Sequence, residues 1–494
     1  ESTEVKNLWL CEAVWVKEGP GAGKLLAEWM THGRTSMDPH SVDSARHYPI
    51  QKGDDYVRSR CYESAQKIYT PAVHPREPFA TSRGMRVSPF YEREVALGGY
   101  FMEVAGWERA HGYAANEPTL LSKYRDQVPT REAEWDNRHF WEVSNAEQLA
   151  LSDGVGMINL SHFAIFDVEG ADAESLMEYL SVAKVGTDTA IGKGVYTHFL
   201  DQAGGIRSDL TIIRLATDCF RVVCGGDTGH RDYIWMRNMS DKRGFANVTF
   251  HDRSEQLATL GLWGPDARVT LAKLMDDPES ISNEAFPFAT TKEIVVCGVK
   301  VWAFRISYVG EQGWELYFPF SDGLGIWDAL FDLGVTPVGI ETYANSRRLE
   351  KSLRLQNADL EIEYNLYEAG LARPKVKAAD FHGKEAYVQQ RELQTQAAYL
   401  CTFELGDTTD SNGVIRYPVG NWPILDRDTK HVIVDSHGRR SYTTSMAYGP
   451  SLGKNIAMGY LPADKAVEGD VVLIEYFGEH YDATVMKVGY GALL

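Results

Sequence analysis

The chain has 494 residues, 44% hydrophobic and 24% charged, with a net charge of −19 and a pI near 5.2. At about 150 residues per domain, this length suggests two to four domains around a sizeable core. The acidic balance argues against a nucleic-acid partner, because phosphate contacts need clustered Lys and Arg. No apolar run approaches the ~18 residues of a membrane span, so no membrane partner is expected.

The chain begins with Glu1, and no signal peptide is recognised at its start. Residues 7–16, NLWLCEAVWV, read as a buried strand or strand–loop. GPGAG follows at 19–23, and KLLAEWMTHG at 24–33 carries Leu25, Leu26, Trp29 and Met30 at helical spacing. Gly33 is the expected C-cap. A glycine-rich turn opening a helix exposes backbone N–H groups and the positive end of the helix dipole, which can hold an anion or a carbonyl oxygen. A plain strand–turn–helix connection explains it as well. One strand and one helix cannot bury their own faces, so this segment needs something to pack on, in this chain or outside it.

Residues 34–95 are polar and irregular, rich in Pro and Arg, and read as a connector wrapped over a surface. From about 96 to 375, strand-like and helix-like stretches alternate. AESLMEYLSVA at 173–183 reads as an amphipathic helix, and 208–226 as a hairpin turning near Thr217-Asp218. KEIVVCGVKVWAFRISYVG and GWELYF read as consecutive strands. GLGIWDALFDLG at 323–334 and TYANSRRLEKSLR at 342–354 read as helices. From about 378 onward, short strands and turns form a small antiparallel β domain closed by the hairpin VVLIEYFGEHYDATVMKVGY. The six cysteines show no CxxC and no metal-ligand spacing. They are expected to be buried free thiols of a reducing compartment, and no metal site is expected.

Asp209 is the residue that most needs a reason. It lies in a run, Ile206 to Leu215, that otherwise reads as strand, where Asp is depleted because its carboxylate competes for backbone hydrogen bonds. A solvent-facing position is the ordinary explanation. A second strand-borne acid, Glu315, follows in Tyr308-Val309-Gly310-Glu311-Gln312-Gly313-Trp314-Glu315. Two such acids near aromatics and glycines point to a site for a polar, aromatic, proton-bearing ligand. Within that stretch, Tyr308 has a plain alternative as a core aromatic, and Glu311 is expected to be a solvated turn residue.

Six segments, in order, resemble one family: GGIRSDLT, SYVGEQGWELY, RLEKSLR, YEAGL, DFHGKEA and SLGKNIAMGYLP. They are similar to the glycine-cleavage T-protein family of tetrahydrofolate-binding aminomethyltransferases. The N-terminal stretches LWLCEAVWV…GAGKLLAEWM and RVSPFYEREVALGGYFMEVAGWER resemble the end of the FAD domain and the connector of dimethylglycine and sarcosine dehydrogenases or oxidases. The resemblance implies an α+β chain with a T-protein-like aminomethyltransferase fold and a small C-terminal antiparallel β domain. A remnant of an FAD-dependent oxidoreductase domain precedes these. The implied limits are 1–33 for the flavin-domain end, 34–95 for the connector, 96–377 for the folate-binding domain and 378–494 for the C-terminal β-barrel-like domain.

By the same resemblance, Asp209 matches the catalytic aspartate beside the folate one-carbon edge, and Tyr308 and Glu315 line the pterin. Arg348 and Arg354 are candidates for the folate glutamate tail, with helix-surface salt bridges as the alternative. Gly19, Gly21 and Gly23 would face a flavin if a partner supplies one. Asp209 should be ionised, with Arg207 the candidate cation. Three departures from the family pattern stand at Arg347, at Leu366-Tyr367-Glu368 and at Arg373-Pro374-Lys375.

The family's GxGxxG fingerprint and FAD-holding His are missing from this sequence. The chain is therefore expected to be part of a larger flavoenzyme or its separate subunit, with Trp9, Leu10, Val14 and Trp15 exposed unless a partner covers them. The implied function is capture by tetrahydrofolate of a one-carbon unit from a small N-methyl amine, giving 5,10-methylenetetrahydrofolate, with FAD bound mainly by another segment or polypeptide. The alternatives are a stand-alone folate-dependent aminomethyltransferase or O- or S-demethylase, and a scaffold subunit that has lost folate. Cytosol and mitochondrial matrix fit equally.

Overall fold

The computed structural model describes residues 2–5, 7–12, 15–68 and 73–490. Three sheets of five or six strands organise the chain, and a two-stranded hairpin stands before them. The five-stranded sheet runs Gly194–Leu200, Ile206–Arg214, Cys219–Cys224, Ala164–Glu169, Thr249–Asp252. Helices Ala173–Leu180 and Gly229–Arg243 belong to the same unit, and Leu176, Met177, Met236 and Met239 join Leu210, Ile212 and Phe220 in one buried cluster.

The second sheet runs Thr291–Val296, Val299–Phe304, Gly313–Pro319, Leu257–Trp263, Gly156–Asn159, Thr336–Pro337, with only the last pair parallel. Helix Gly323–Asp332 closes its core through Ile326, Trp327 and Leu330. Ile165, Ile213 and Val223 of the first sheet meet Phe304 and Tyr317 of the second in a shared cluster, so the two sheets pack on each other.

The C-terminal sheet, ordered Ile424–Leu425, Val471–Tyr476, Glu479–Val488, Ala398–Leu405, Lys454–Pro462, Thr443–Gly449, is antiparallel and barrel-like. Leu349 and Tyr364 pack against its Leu400, Ile456, Met458 and Tyr460, joining it to the preceding unit. Each expected hairpin is present, with the 208–226 turn closed by Leu215 N–H donating to the Cys219 carbonyl.

Several expectations need correction. Among the described residues, 7–16 form no strand; Leu8 and Leu10 are exposed, Trp9 rests against Trp29, and Val14 lies outside the described residues. The glycines at 19–23 do not precede the helix but make up its first turn, Gly19–His32. That helix ends at Gly33, whose φ of 69° is the left-handed conformation glycine adopts without a Cβ penalty.

The connector is not irregular throughout, since Asp54–Ile68 is a helix with a salt-bridged face. Residues 342–354 do not form one helix: a π turn (Thr342–Ser346) and a single α turn (Arg347–Glu350) stop at Lys351, and Ser352 takes φ 55°. All six cysteines are free, but Cys11, Cys61 and Cys297 are exposed rather than buried. No helix among the described residues is long and apolar enough to cross a membrane.

Candidate functional site

Strand alternation decides which side chains of Ile206–Arg214 face the cavity. Ile206, Ser208, Leu210 and Ile212 are buried and Arg207, Asp209 and Thr211 half-buried in alternation, with Leu210 and Ile212 packed in the sheet's own core. Gly205 fixes the entry to this strand: a Cβ there would meet the Ile362 carbonyl oxygen at 2.0 Å, so only glycine lets segment 361–365 approach. The side bearing Asp209 opens into a cavity of about 1490 Å³ where the two sheets and segments 353–356 and 370–378 come together. That is larger than the usual few hundred Å³ of a small-molecule pocket.

Asp209, Tyr308, Glu315 and Arg354 all line this cavity. Asp209 accepts a 2.9 Å hydrogen bond from the Tyr196 hydroxyl, which comes from the neighbouring strand. Burial pushes the Asp209 carboxyl up to about 7; the Tyr196 hydroxyl opposes this, while Asp232 and Asp227 add repulsion. The expectation of a low pKa is therefore corrected, and so is its proposed cause. The Arg207 guanidinium lies over the Trp235 ring, 5.1 Å from its centroid, with Asp232, Asp43 and Asp38 as its charge partners.

Glu315 is buried beside Tyr317, whose hydroxyl donates to it, and burial pushes its carboxyl up to about 7. The Tyr308 hydroxyl donates to the Arg354 carbonyl, and its ring lies 4.9 Å from Tyr343. Burial raises the Tyr196, Tyr308 and Tyr343 hydroxyls, so all three stay protonated near neutrality. Arg354 is 3% exposed, donates through Nε to the Ala369 carbonyl at 3.1 Å, and leaves one terminal nitrogen without a partner among the described residues.

Arg348 does not line this cavity. It is buried in an ion pair with Asp359 at 2.5 Å and donates to Ser445 at 2.6 Å, fastening the T-protein-like unit to the C-terminal barrel. The break at Lys351–Ser352 sends Arg348 and Arg354 to different places. Gly19, Gly21 and Gly23 lie at the surface, with nothing among the described residues within 4 Å of an added Cβ, and the helix they begin buries no residue.

The departures at 347 and 366–368 also have partners. Arg347 pairs with Glu311 and Glu350, so Glu311 is not the solvated turn residue expected, and Glu368 pairs with Arg439. Neither Arg347 nor Glu368 lines the cavity. Residues 371–378 carry no strand, and Arg373 there donates to the Tyr196 carbonyl.

Sequence reasoning missed Tyr196, His198, Tyr343 and Gln356, which share the cavity. His198 is directly opposite Asp209 in the strand pairing, 2% exposed, and neither ring nitrogen has a partner among the described residues. Burial pushes its pKa down to about 3, so it is neutral. The signal that could have found Tyr196 and His198 is the alternation in GVYTHFL together with its pairing across Gly204-Gly205.

The model for the GCVT N-terminal domain matches residues 90–377. The chain belongs to this family. Residues 32–88 match the FAD dependent oxidoreductase central domain, and 420–488 the glycine cleavage T-protein C-terminal barrel domain. Rat mitochondrial dimethylglycine dehydrogenase is 28% identical over 494 residues, covering 98% of this chain and 53% of the relative. Mouse mitochondrial sarcosine dehydrogenase is 31% identical over 418 residues, covering 78% and 45%. The chain thus spans about half the length of these relatives. The crystal structure of the Bartonella henselae glycine cleavage system aminomethyltransferase T superposes with a TM-score of 0.65 at 22% identity, covering 83% of this chain and all of that one, a likeness of fold. The protein is an aminomethyltransferase-like chain related to dimethylglycine and sarcosine dehydrogenases, with an α+β T-protein fold and a C-terminal antiparallel barrel.

Proposed function

We propose that this chain is the folate-dependent, one-carbon-transfer portion of an FAD-dependent enzyme that demethylates small N-methylated amines. The observation that carries the reading is the convergence of Asp209, Tyr308, Glu315 and Arg354, residues up to 145 positions apart from Asp209 to Arg354, on one cavity between two sheets. Kinship with dimethylglycine and sarcosine dehydrogenases supports the amine class.

The donor set fits a reduced pterin. His198 Nδ1 and Nε2, Ser307 Oγ, Gln356 Oε1 and one Arg354 terminal nitrogen line the cavity without partners, and buried polar groups left so are costly unless a ligand satisfies them. Glu315 would accept from the N–H and exocyclic amine along one pterin edge, and Arg354 would donate to a carboxylate or carbonyl. Tetrahydrofolate, when bound, supplies the nucleophilic nitrogens that take up a one-carbon unit. Asp209, titrating near 7, can hold or release a proton at its carboxylate while the Tyr196 hydroxyl fixes its orientation.

The flavin would be held mainly by a segment or partner beyond this chain. Its contact here would be the exposed start of helix Gly19–His32, which Val16, 96% exposed, shortly precedes. A mitochondrial matrix or cytosolic setting suits this chemistry.

In native material turning over an N-methyl amine, Asp209→Asn is expected to keep tetrahydrofolate bound while free formaldehyde accumulates. An unchanged split between captured and free one-carbon product would remove Asp209 from the transfer step. Complete lack of tetrahydrofolate binding by the unmutated protein would favour a scaffold instead.

A further inference from the structure

A second cavity, about 300 Å³, lies at the junction of the connector, helix Glu142–Asp153, the Thr342–Ser346 turn and strand Thr443–Gly449. It has room for about ten waters at some 30 Å³ each. One of its cations lacks a direct ion pair. Arg76 and His111 both pair with Glu341, and Arg348 pairs with Asp359. Arg131 is left over. Its guanidinium is sandwiched between Phe140 and Tyr417, 3.3 and 4.5 Å from the ring centroids, and donates to the Asp136 backbone carbonyl at 3.1 Å. Among the described residues no ion pair to it is formed, and the Asp136 and Glu341 carboxylates act on it only at longer range. The Asp136 carboxylate is already engaged by Arg416, the Tyr476 hydroxyl and the Tyr417 N–H.

Unused hydrogen-bonding atoms line the same space. Asn145, 4% exposed, has a free Nδ2, and Ser346, 3% exposed, has a free Oγ. Arg131 Nε also has no partner, and neither does Nε2 of His111, whose Nδ1 lies 3.0 Å from Glu341. With Nδ1–H donated to Glu341, Nε2 is an acceptor. Three donors, one of them on a cation without a direct ion pair, and one acceptor, walled by Phe140, Trp141 and Tyr448, make an incomplete polar network. Such networks cost stability until something completes them.

We infer that this cavity is a second binding site, separate from the Asp209 cleft, for a small organic monocarboxylate that also carries a hydroxyl or amine. The carboxylate would take Arg131 Nε–H, Asn145 and Ser346, and the hydroxyl or amine would donate to His111 Nε2. The carboxylate would give Arg131 the direct anionic partner it lacks.

Calorimetric titration of the full chain with sodium glycolate, at fixed ionic strength and with sodium acetate and sodium chloride as comparisons, tests this. Expected is saturable glycolate binding, weaker for acetate, which lacks the donor to His111, and no competition by chloride. Arg131→Met should weaken glycolate at least about tenfold, or about 1.4 kcal/mol, and Asp209→Asn should leave it unchanged. Should Arg131→Met fail to fold, Asn145→Leu is expected to weaken glycolate severalfold. No saturable heat in the unmutated chain, equal competition by chloride, or unchanged binding in both cavity variants would overturn the inference. Loss of binding in Asp209→Asn would do so too, by moving the ligand to the cleft. Because the site is read without folate, failure of tetrahydrofolate to bind elsewhere leaves this result intact.

Discussion

The cavity between the two sheets and the helix Gly19–His32 both attract attention as ligand sites, and the fold treats them in opposite ways. In the cavity, side chains from distant segments meet, several polar atoms have no partner, and two carboxyls are pushed up to about 7. On the helix, the glycines are exposed, no residue is buried, Met30 is exposed, and Leu25, Leu26 and Trp29 are only half-buried. The difference is one of enclosure. Two packed sheets desolvate what lies between them, which perturbs pKa values and makes unpaired atoms costly. A helix start alone leaves its N–H groups to water.

Four substitutions would break or sharpen that contrast. The largest effect is expected at Arg348, whose loss strands Asp359 in the interior. Arg348→Met should destabilise the fold by about 3–5 kcal/mol, read by denaturant unfolding, and a change under 1 kcal/mol would mean the pair is not structural. Next is Asp209→Asn, expected to lower one-carbon capture roughly a hundredfold while tetrahydrofolate affinity stays within a few-fold.

Asp209 should also leave a pH signature. Its folded pKa, about 7, lies above the ordinary carboxylate value. Its protonated form therefore favours the folded state, and that contribution is full below the unfolded pKa and is lost as pH rises through about 7. Asp209→Asn should accordingly gain thermal stability relative to the unmutated chain above pH 7 and not at pH 4. The reverse ordering would contradict the burial argument.

Glu315→Gln is expected to weaken tetrahydrofolate roughly tenfold, about 1.4 kcal/mol, by calorimetric titration; unchanged affinity would place Glu315 outside the pterin contacts. The smallest effect belongs to the other region. Gly21→Ala meets no neighbour, so it should stabilise helix Gly19–His32 by at most about 0.5–1 kcal/mol and leave tetrahydrofolate affinity unchanged. A loss of flavin from native material in this variant would give the helix start a role that its exposure alone does not.

Much of the fold was legible because local chemistry and final structure agree. The 208–226 and 291–319 strands form where β-branched and aromatic runs are interrupted by turn residues, and helices 173–180 and 323–332 follow their apolar spacing. Asp209 and Glu315 stood out because an acid inside a strand is anomalous. Tyr196 and His198 were not visible, since only strand register places them beside Asp209. Arg348 and Arg354 looked alike on an expected helix, and the break at Ser352 parts them. The apolar run 7–16 carries the composition of a strand, yet among the described residues it has no sheet to join, and composition cannot supply a neighbour.

The most direct measurement is calorimetric titration of tetrahydrofolate into the purified chain and into Glu315→Gln. Saturable binding at one site per chain, weakened about tenfold by the substitution, is the expected result. No binding to the unmutated chain, or equal binding to both, would contradict the assignment of this cavity to a reduced folate.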